Sequence, residues 1–279
     1  MYQHIEVEQD YNERIHVIEL LIDKAIILSE KRSKMKIDSW EEQLASVIFK
    51  KIIAISNSIY ILLPKDQSQK PENFYYIWDY SSICILSRSL IETYLILFYS
   101  CIDKPTDENE KNIKRTVWEY YSNKKNMKII NLLSIGLENI DAINADLEVL
   151  KVKMQSNIYF KKLDSKIKNK IKKGEKFKIF ENDELARKIG IDQNFFKSTF
   201  QYFSSYVHSD SYSLDQLKSL IPGDANSFSL LCGAIYSLVI YLSLSIRDFV
   251  NIFPELKIGM DDFIKNVITN SEKIIHLED

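Results

Sequence analysis

The sequence predicts an all-α protein, and three features predict it. Glycine and proline are scarce, at 6 and 5 in 279 residues, which leaves little material for the many tight turns of a sandwich or barrel. Apolar residues recur at helical spacing through long stretches. Hydrophobic residues reach 46% against 27% charged, an ordinary globular balance with ample material for a core. The expected architecture is a single helical domain over residues 1–279, a multi-helix bundle of long helices. It comprises an N-terminal helical hairpin over 1–63, a core bundle over 74–252 and a terminal helix over 258–276. Within the core, one buried central helix is expected at about 74–102 and one buried C-terminal helix at about 225–250.

Each element has its own signal. Ile15, Ile18, Leu21, Ile22, Ala25 and Leu28 share a face of a first amphipathic helix between about residues 5 and 35. Asp38-Ser39, followed by Glu41 and Glu42, reads as an N-cap and acidic first turn for a second helix, which Pro64 stops. Residues 65–72 read as a loop. The segment 74–102 is apolar nearly all round, interrupted by charge only at Asp79, Arg88 and Glu92. A fourth helix carries Trp118, Tyr121, Ile129, Leu132 and Leu133 up to Gly136, and a fifth is expected to run unbroken from about Ile140 to Lys173.

The later half is less regular. Between Lys161 and Lys178 nine lysines stand against Asp164 and Glu175. Lys168, Lys170, Lys172 and Lys173 are the candidates there for RNA phosphate contact; a solvated helix end near Gly174 is the alternative. Residues 183–192 superficially resemble the opening of a helix-turn-helix reader. The following helix, Gln193 to Val207, carries Phe195, Phe196, Phe200, Tyr202, Phe203 and Tyr206 where a reader presents polar groups, so it is read as a core helix. No charge occurs from Ala225 to Ile246, nearly the length that spans a bilayer. The serines and tyrosines inside that run, and Asp224 before it, favour a buried helix in a soluble bundle. Ser229, Gly233 and Ser237 form a small-residue stripe there that would admit a close helix neighbour.

Bulk properties exclude several function classes. A net charge of -2 with pI near 6.2 does not suit a general nucleic-acid coat protein. Cys84, Cys101 and Cys232 are odd in number and lie in apolar runs, which suits buried free thiols in a reducing compartment. Residues 1–10 carry acids where a secretory signal carries lysines, and cytoplasmic location is the expectation. The glycines are too scattered for a phosphate loop or dinucleotide fingerprint, and neither Cys pairs nor a His-Glu-x-x-His helix is present. No cofactor, nucleotide or metal is therefore expected.

Two constellations remain. His4, His16 and His276 lie in the first helix or near a terminus, whereas His208 ends the aromatic helix. Gln201, Ser204 or Ser205 and His208 share a polar strip beside the apolar face of Phe196, Phe200, Phe203 and Val207, with Ser209 following. In Arg88-Ser89-Leu90-Ile91-Glu92, spacing of four puts a guanidinium and a carboxylate on one face of the helix expected to be most buried. There a charge needs a partner.

The Arg88-Ser89-Leu90-x-Glu92 helix, with Ser204-x-Tyr206-Val207-His208-Ser209 and an apolar C-terminal helix, resembles an uncharacterised bacterial family of all-helical proteins of unknown function. The resemblance covers roughly residues 78–249. The histidine-ended helix also distantly resembles HEPN ribonucleases, helical proteins of toxin and antiviral systems that use an arginine several residues before a histidine. This chain departs from that pattern. Phe203 stands five residues before His208, and Tyr202 and Ser204 do not supply the arginine. The resemblance implies chemistry here only if Arg88 supplies the cation, stabilising phosphate charge. His208 would then act as general acid or base on an RNA 2'-hydroxyl, and Glu92 would orient Arg88. A homodimer would be required to fill the second proton-transfer role.

Three functions follow as expectations: a non-enzymatic binding or regulatory module with a buried Arg/Glu/His network and an RNA or protein partner, a metal-independent endoribonuclease, and a membrane-associated effector using residues 225–246.

Overall fold

The computed structural model describes residues 2–65, 78–135, 137–221, 224–258 and 260–276. Among these, every regular element is helical. In chain order they are α1 (Tyr2–Ser33), α2 (Trp40–Leu62), α3 (Tyr80–Leu97), α4 (Glu108–Leu133), α5 (Ile140–Ser156), α6 (Ile158–Lys162) and α7 (Ser165–Lys172). There follow α8 (Asn182–Ile189), α9 (Gln193–Val207), α10 (Ser211–Ser219), α11 (Ala225–Ile252) and α12 (Asp262–His276). The all-α expectation is met. The chain divides into two compact units, Met1–Ile102 with Asn182–Asp279, and Asp103–Glu181. Residues 103–181, drawn from sequence as part of the 74–252 core bundle, thus form a unit of their own.

The first unit is organised around α11. Its 28 residues pack against α1, α2, α3 and α12, and Leu231, Ile235, Leu238, Leu242 and Ile246 are fully buried. Phe249 stacks on Phe49 of α2 with centroids 3.9 Å apart. Inside α11 the Ser245 hydroxyl donates to the Tyr241 carbonyl at 2.6 Å, so a hydroxyl in the core finds its partner without leaving the helix. The small-residue stripe is used only at its end: Ser237 is buried, whereas Ser229 and Gly233 are exposed, and a Cβ added at Gly233 would meet open space.

Caps set the helix starts. Ser39 Oγ accepts from the Glu42 N–H at 3.1 Å, as its sequence position predicts. The turn between α1 and α2 closes over Arg32, which is 3% exposed. Arg32 donates to the Met35 and Lys36 carbonyls and to Glu42, and lies 4.2 Å from the Phe253 ring centroid. α3 starts on Asp79 and continues beyond Leu97 into a π-helical turn, Phe98–Ile102. Residues 74–77 of the expected central helix lie outside the described residues.

The expected unbroken helix from 140 to 173 is three helices. Asn157 accepts from the Phe160 N–H and Asp164 from the Lys166 N–H, so each ends one helix's register and caps the next. Short polar side chains compete with the backbone for this bond, and that competition outweighs the apolar periodicity. The Tyr120 hydroxyl of α4 donates to the Lys172 carbonyl, and Lys114 pairs with Asp103 at 2.7 Å. The terminal helix begins at Asp262, four residues later than expected, because Asp261 caps it by accepting from the Ile264 N–H at 2.9 Å.

Candidate functional site

The helix α9 follows its expected bounds. Asp192 caps it by accepting from the Phe195 N–H at 2.7 Å. Phe196, Phe203, Ser205 and Tyr206 are buried, so the aromatic content serves packing against α3 rather than base reading. Val207, assigned from sequence to the apolar face, is 44% exposed. The buried face instead turns through Tyr206, which meets Tyr80 edge-on with centroids 5.3 Å apart.

α3 presents Tyr80, Cys84, Arg88 and Glu92 at spacing four, one above another on a single stripe. At its start the Tyr80 hydroxyl donates to the Leu230 carbonyl at 3.1 Å. Its single proton is then committed, so the 2.7 Å contact with Tyr202 has Tyr202 as donor. Burial pushes the Tyr80 phenol far above its usual value, with Cys84 and Tyr202 adding to the shift. Burial also pushes the Cys84 thiol up to about 12. Both groups are neutral packing elements at physiological pH. Cys84 is a buried free thiol as expected, whereas Cys101 and Cys232 are only partly buried.

Two turns further along α3, Arg88 makes three contacts. Its Nε donates to Ser204 Oγ at 2.9 Å, its Nη1 lies 3.0 Å from Glu92 Oε1, and its Cζ lies 3.2 Å from the Phe200 ring centroid. Ser204 Oγ in turn donates to the Phe200 carbonyl at 2.7 Å. The serine thus accepts from the cation and passes its own proton to its helix, a directional relay that uses both capacities of the hydroxyl. Burial lowers the Arg88 pKa while Glu92 opposes the shift; the guanidinium remains charged.

The sequence-predicted residues are therefore partly assembled. Arg88, Glu92 and Ser204 meet across more than a hundred positions. His208 does not enter this network. It is the C-cap of α9, exposed, with its N–H donating to the Ser204 carbonyl at 3.3 Å. The expectation of a buried Arg/Glu/His network is corrected on two counts. Capping carries His208 past the end of the buried face, and the Glu92 side chain is 47% exposed because it sits on the outer edge of the α3 stripe. Gln201 is exposed, and Ser205 is buried with its hydroxyl returned to the Tyr202 carbonyl. Ser209 adopts φ +48. Its N–H bonds to the Tyr206 carbonyl and that of Asp210 to the Ser205 carbonyl, a Schellman end that fixes where His208 stands. Lys168, Lys170, Lys172 and Lys173 belong to the Asp103–Glu181 unit. Among the described residues no group of three His, Cys, Asp or Glu could hold a metal.

Sequence reasoning missed a second polar network. Tyr94 donates to Asp248 Oδ2 at 3.0 Å in a fully buried setting, Arg247 bonds Asp248 Oδ1 at 2.8 Å, and Arg247 also reaches Glu272 of α12 at 2.9 Å. Asp248 is 2% exposed. The signal was the adjacent Arg247-Asp248 pair, the first charges after the charge-free run of α11.

Both segments of the Arg88–Ser204 contact fall within residues 42–220, which match the family model of DUF5677, a family of unknown function. The chain belongs to DUF5677. The expected kinship with an uncharacterised family is thereby met. The DUF5677 span runs from the first turn of α2 to the end of α10 and leaves α11, the most buried helix of its unit, outside. No curated protein and no solved structure matches the chain.

Proposed function

We propose that this chain is a non-enzymatic binding module of the cytoplasm, in which Arg88 locks α9 onto α3 and the exposed end of α9 faces a partner. The observation that carries this reading is the commitment of the guanidinium. With Nε on Ser204, Nη1 buried beside Glu92, the ring of Phe200 against the cation and 17% of the side chain exposed, Arg88 presents little surface to a transferring phosphate. His208, exposed beside Val207 and Tyr212 at the α9–α10 turn, is open to a protein or RNA contact.

A metal-independent, HEPN-like endoribonuclease of a toxin or antiviral system is the second reading. One observation favours it: Ser204, which holds Arg88, lies one helical turn before His208, so guanidinium and imidazole belong to the same end of α9. That chemistry needs a homodimer to bring two histidines together. By length and composition α2, α3 with its π turn, and α11 could each cross a membrane. The flanking of α11 by α1 and α12, both rich in charge, supports the soluble setting instead.

Incubating labelled RNA with wild type, His208→Ala and Arg88→Ala protein in a chelator separates the readings. The binding module leaves RNA intact in all three. Cleavage by wild type that disappears in His208→Ala, at an unchanged melting temperature, would replace it with the nuclease.

A further inference from the structure

The Asp103–Glu181 unit differs from the rest of the chain in charge. Its 79 residues contain 18 Lys and Arg against 12 Asp and Glu, a formal +6, whereas the remaining 200 residues hold 19 against 27, a formal -8. The overall value of -2 conceals this division, and folding concentrates it further. A groove of about 690 Å³ runs between α4 and the end of α7, with Tyr121, Lys124, Lys125, Lys128 and Lys173 in its lining and Glu175 as its one carboxylate. None of the four lysines is paired with a carboxylate in the described structure.

Local structure explains why the groove exists. Tyr121, Lys124, Lys125, Lys128 and Leu132 follow helical spacing of three and four, so they form one stripe of α4 about 16 Å long at 1.5 Å per residue. α7 ends at Lys172, and Gly174 just beyond its cap turns the chain with a φ of +70; an added Cβ there would come within 2.8 Å of Lys124 Cβ. That close approach seats the α7 end on the α4 stripe, and Lys173 lines the groove beside it. Of the four lysines singled out from sequence, only Lys173 lines the groove; Lys168 bends back to the Lys161 carbonyl at 3.1 Å.

We propose that this groove binds the sugar–phosphate backbone of single-stranded RNA. Ammonium groups strung along a line suit a linear polyanion better than one compact phosphate, which requires converging donors. A concave channel fits a strand better than a flat bilayer surface. Tyr121, packed against Phe177 with centroids 5.2 Å apart and with Lys125 Nζ 5.7 Å from its own ring centroid, places an aromatic ring beside the ammonium groups, a pairing on which bases stack without sequence preference. The site does not rest on the Arg88 reading, and loss of either leaves the other standing.

The test is fluorescence anisotropy of the full chain with a fluorescein-labelled oligouridylate of about 20 nucleotides, measured from about 50 to 200 mM salt. Binding is expected with a log–log salt slope of about -2 to -3, as three or four phosphate contacts require. The exposed-residue variant Lys125→Glu/Lys128→Glu should weaken binding at least about tenfold, while Lys166→Glu/Lys168→Glu, outside the groove, should stay within about twofold. Helix content by circular dichroism confirms that both variants are folded. Absence of binding, equal losses in the two variants, or binding to phosphatidylserine vesicles without binding to RNA would each overturn the proposal.

Discussion

Removing the Arg88 guanidinium tests the lock between α3 and α9 directly. A hydrogen bond from a charged donor contributes about 1.5–3 kcal/mol, and a largely desolvated cation over an aromatic ring adds about 2 kcal/mol. The Glu92 pair, with its carboxylate half-exposed, contributes at most about 1 kcal/mol after solvent screening. Relief of the guanidinium's own desolvation offsets part of this sum, leaving a loss of about 3 kcal/mol for Arg88→Ala. For a unit of this size that corresponds to a melting temperature lower by about 6–12 °C. Ser204→Ala removes the acceptor together with the local bond to the Phe200 carbonyl and should cost about 1–2 kcal/mol. Because both changes delete one interaction, the double variant should lie close to Arg88→Ala, with a coupling of about 1–2 kcal/mol. Urea midpoints of the four proteins, read by circular dichroism, give the cycle. An Arg88→Ala protein within about 0.5 kcal/mol of wild type, or strictly additive losses, would refute the reasoning, since surface positions behave that way.

Three further outcomes follow from single geometries. The Tyr241 hydroxyl is buried without a hydrogen-bond partner, so Tyr241→Phe should leave stability unchanged or raise it by up to about 1 kcal/mol; a loss above that size in urea unfolding would mean the hydroxyl is satisfied. Ser209 holds a left-handed conformation at the end of α9, and Ser209→Gly should stabilise by about 0.5–1 kcal/mol, with a lower urea midpoint counting against the Schellman assignment. Burial pushes the Cys84 and Cys101 thiols up to about 12, above the unfolded value near 8.5. Their contribution is complete below that unfolded value and declines as pH rises toward 12, by up to about 1.4 kcal/mol per pH unit for each thiol. Stability measured between pH 8 and 10 should fall less steeply in a Cys84→Ala/Cys101→Ala variant than in wild type; parallel slopes would remove the thiols from the account.

Periodicity and punctuation were legible in the sequence because they act locally. The Ser39 cap, the Pro64 stop, the bounds of α9 and the burial of α11 each follow from a few neighbouring residues. The break of one expected helix into α5, α6 and α7 had a local signal as well, in Asn157 and Asp164, but a cap and a mid-helix polar residue look alike until the backbone chooses between them. The candidate site was legible only in part. Spacing of four identified Arg88 and Glu92 as neighbours, and the polar strip singled out Ser204 and His208. That the guanidinium reaches Ser204 and lies on Phe200, while His208 turns outward, depends on how α9 rotates against α3, and no local pattern encodes that rotation. The Tyr94–Asp248–Arg247–Glu272 network and the lysine groove share this dependence, since each joins side chains from separate helices. Short-range energetics thus determined which residues form helices, whereas the packing of one helix face on another decided which charges became partners and which remained open to solvent.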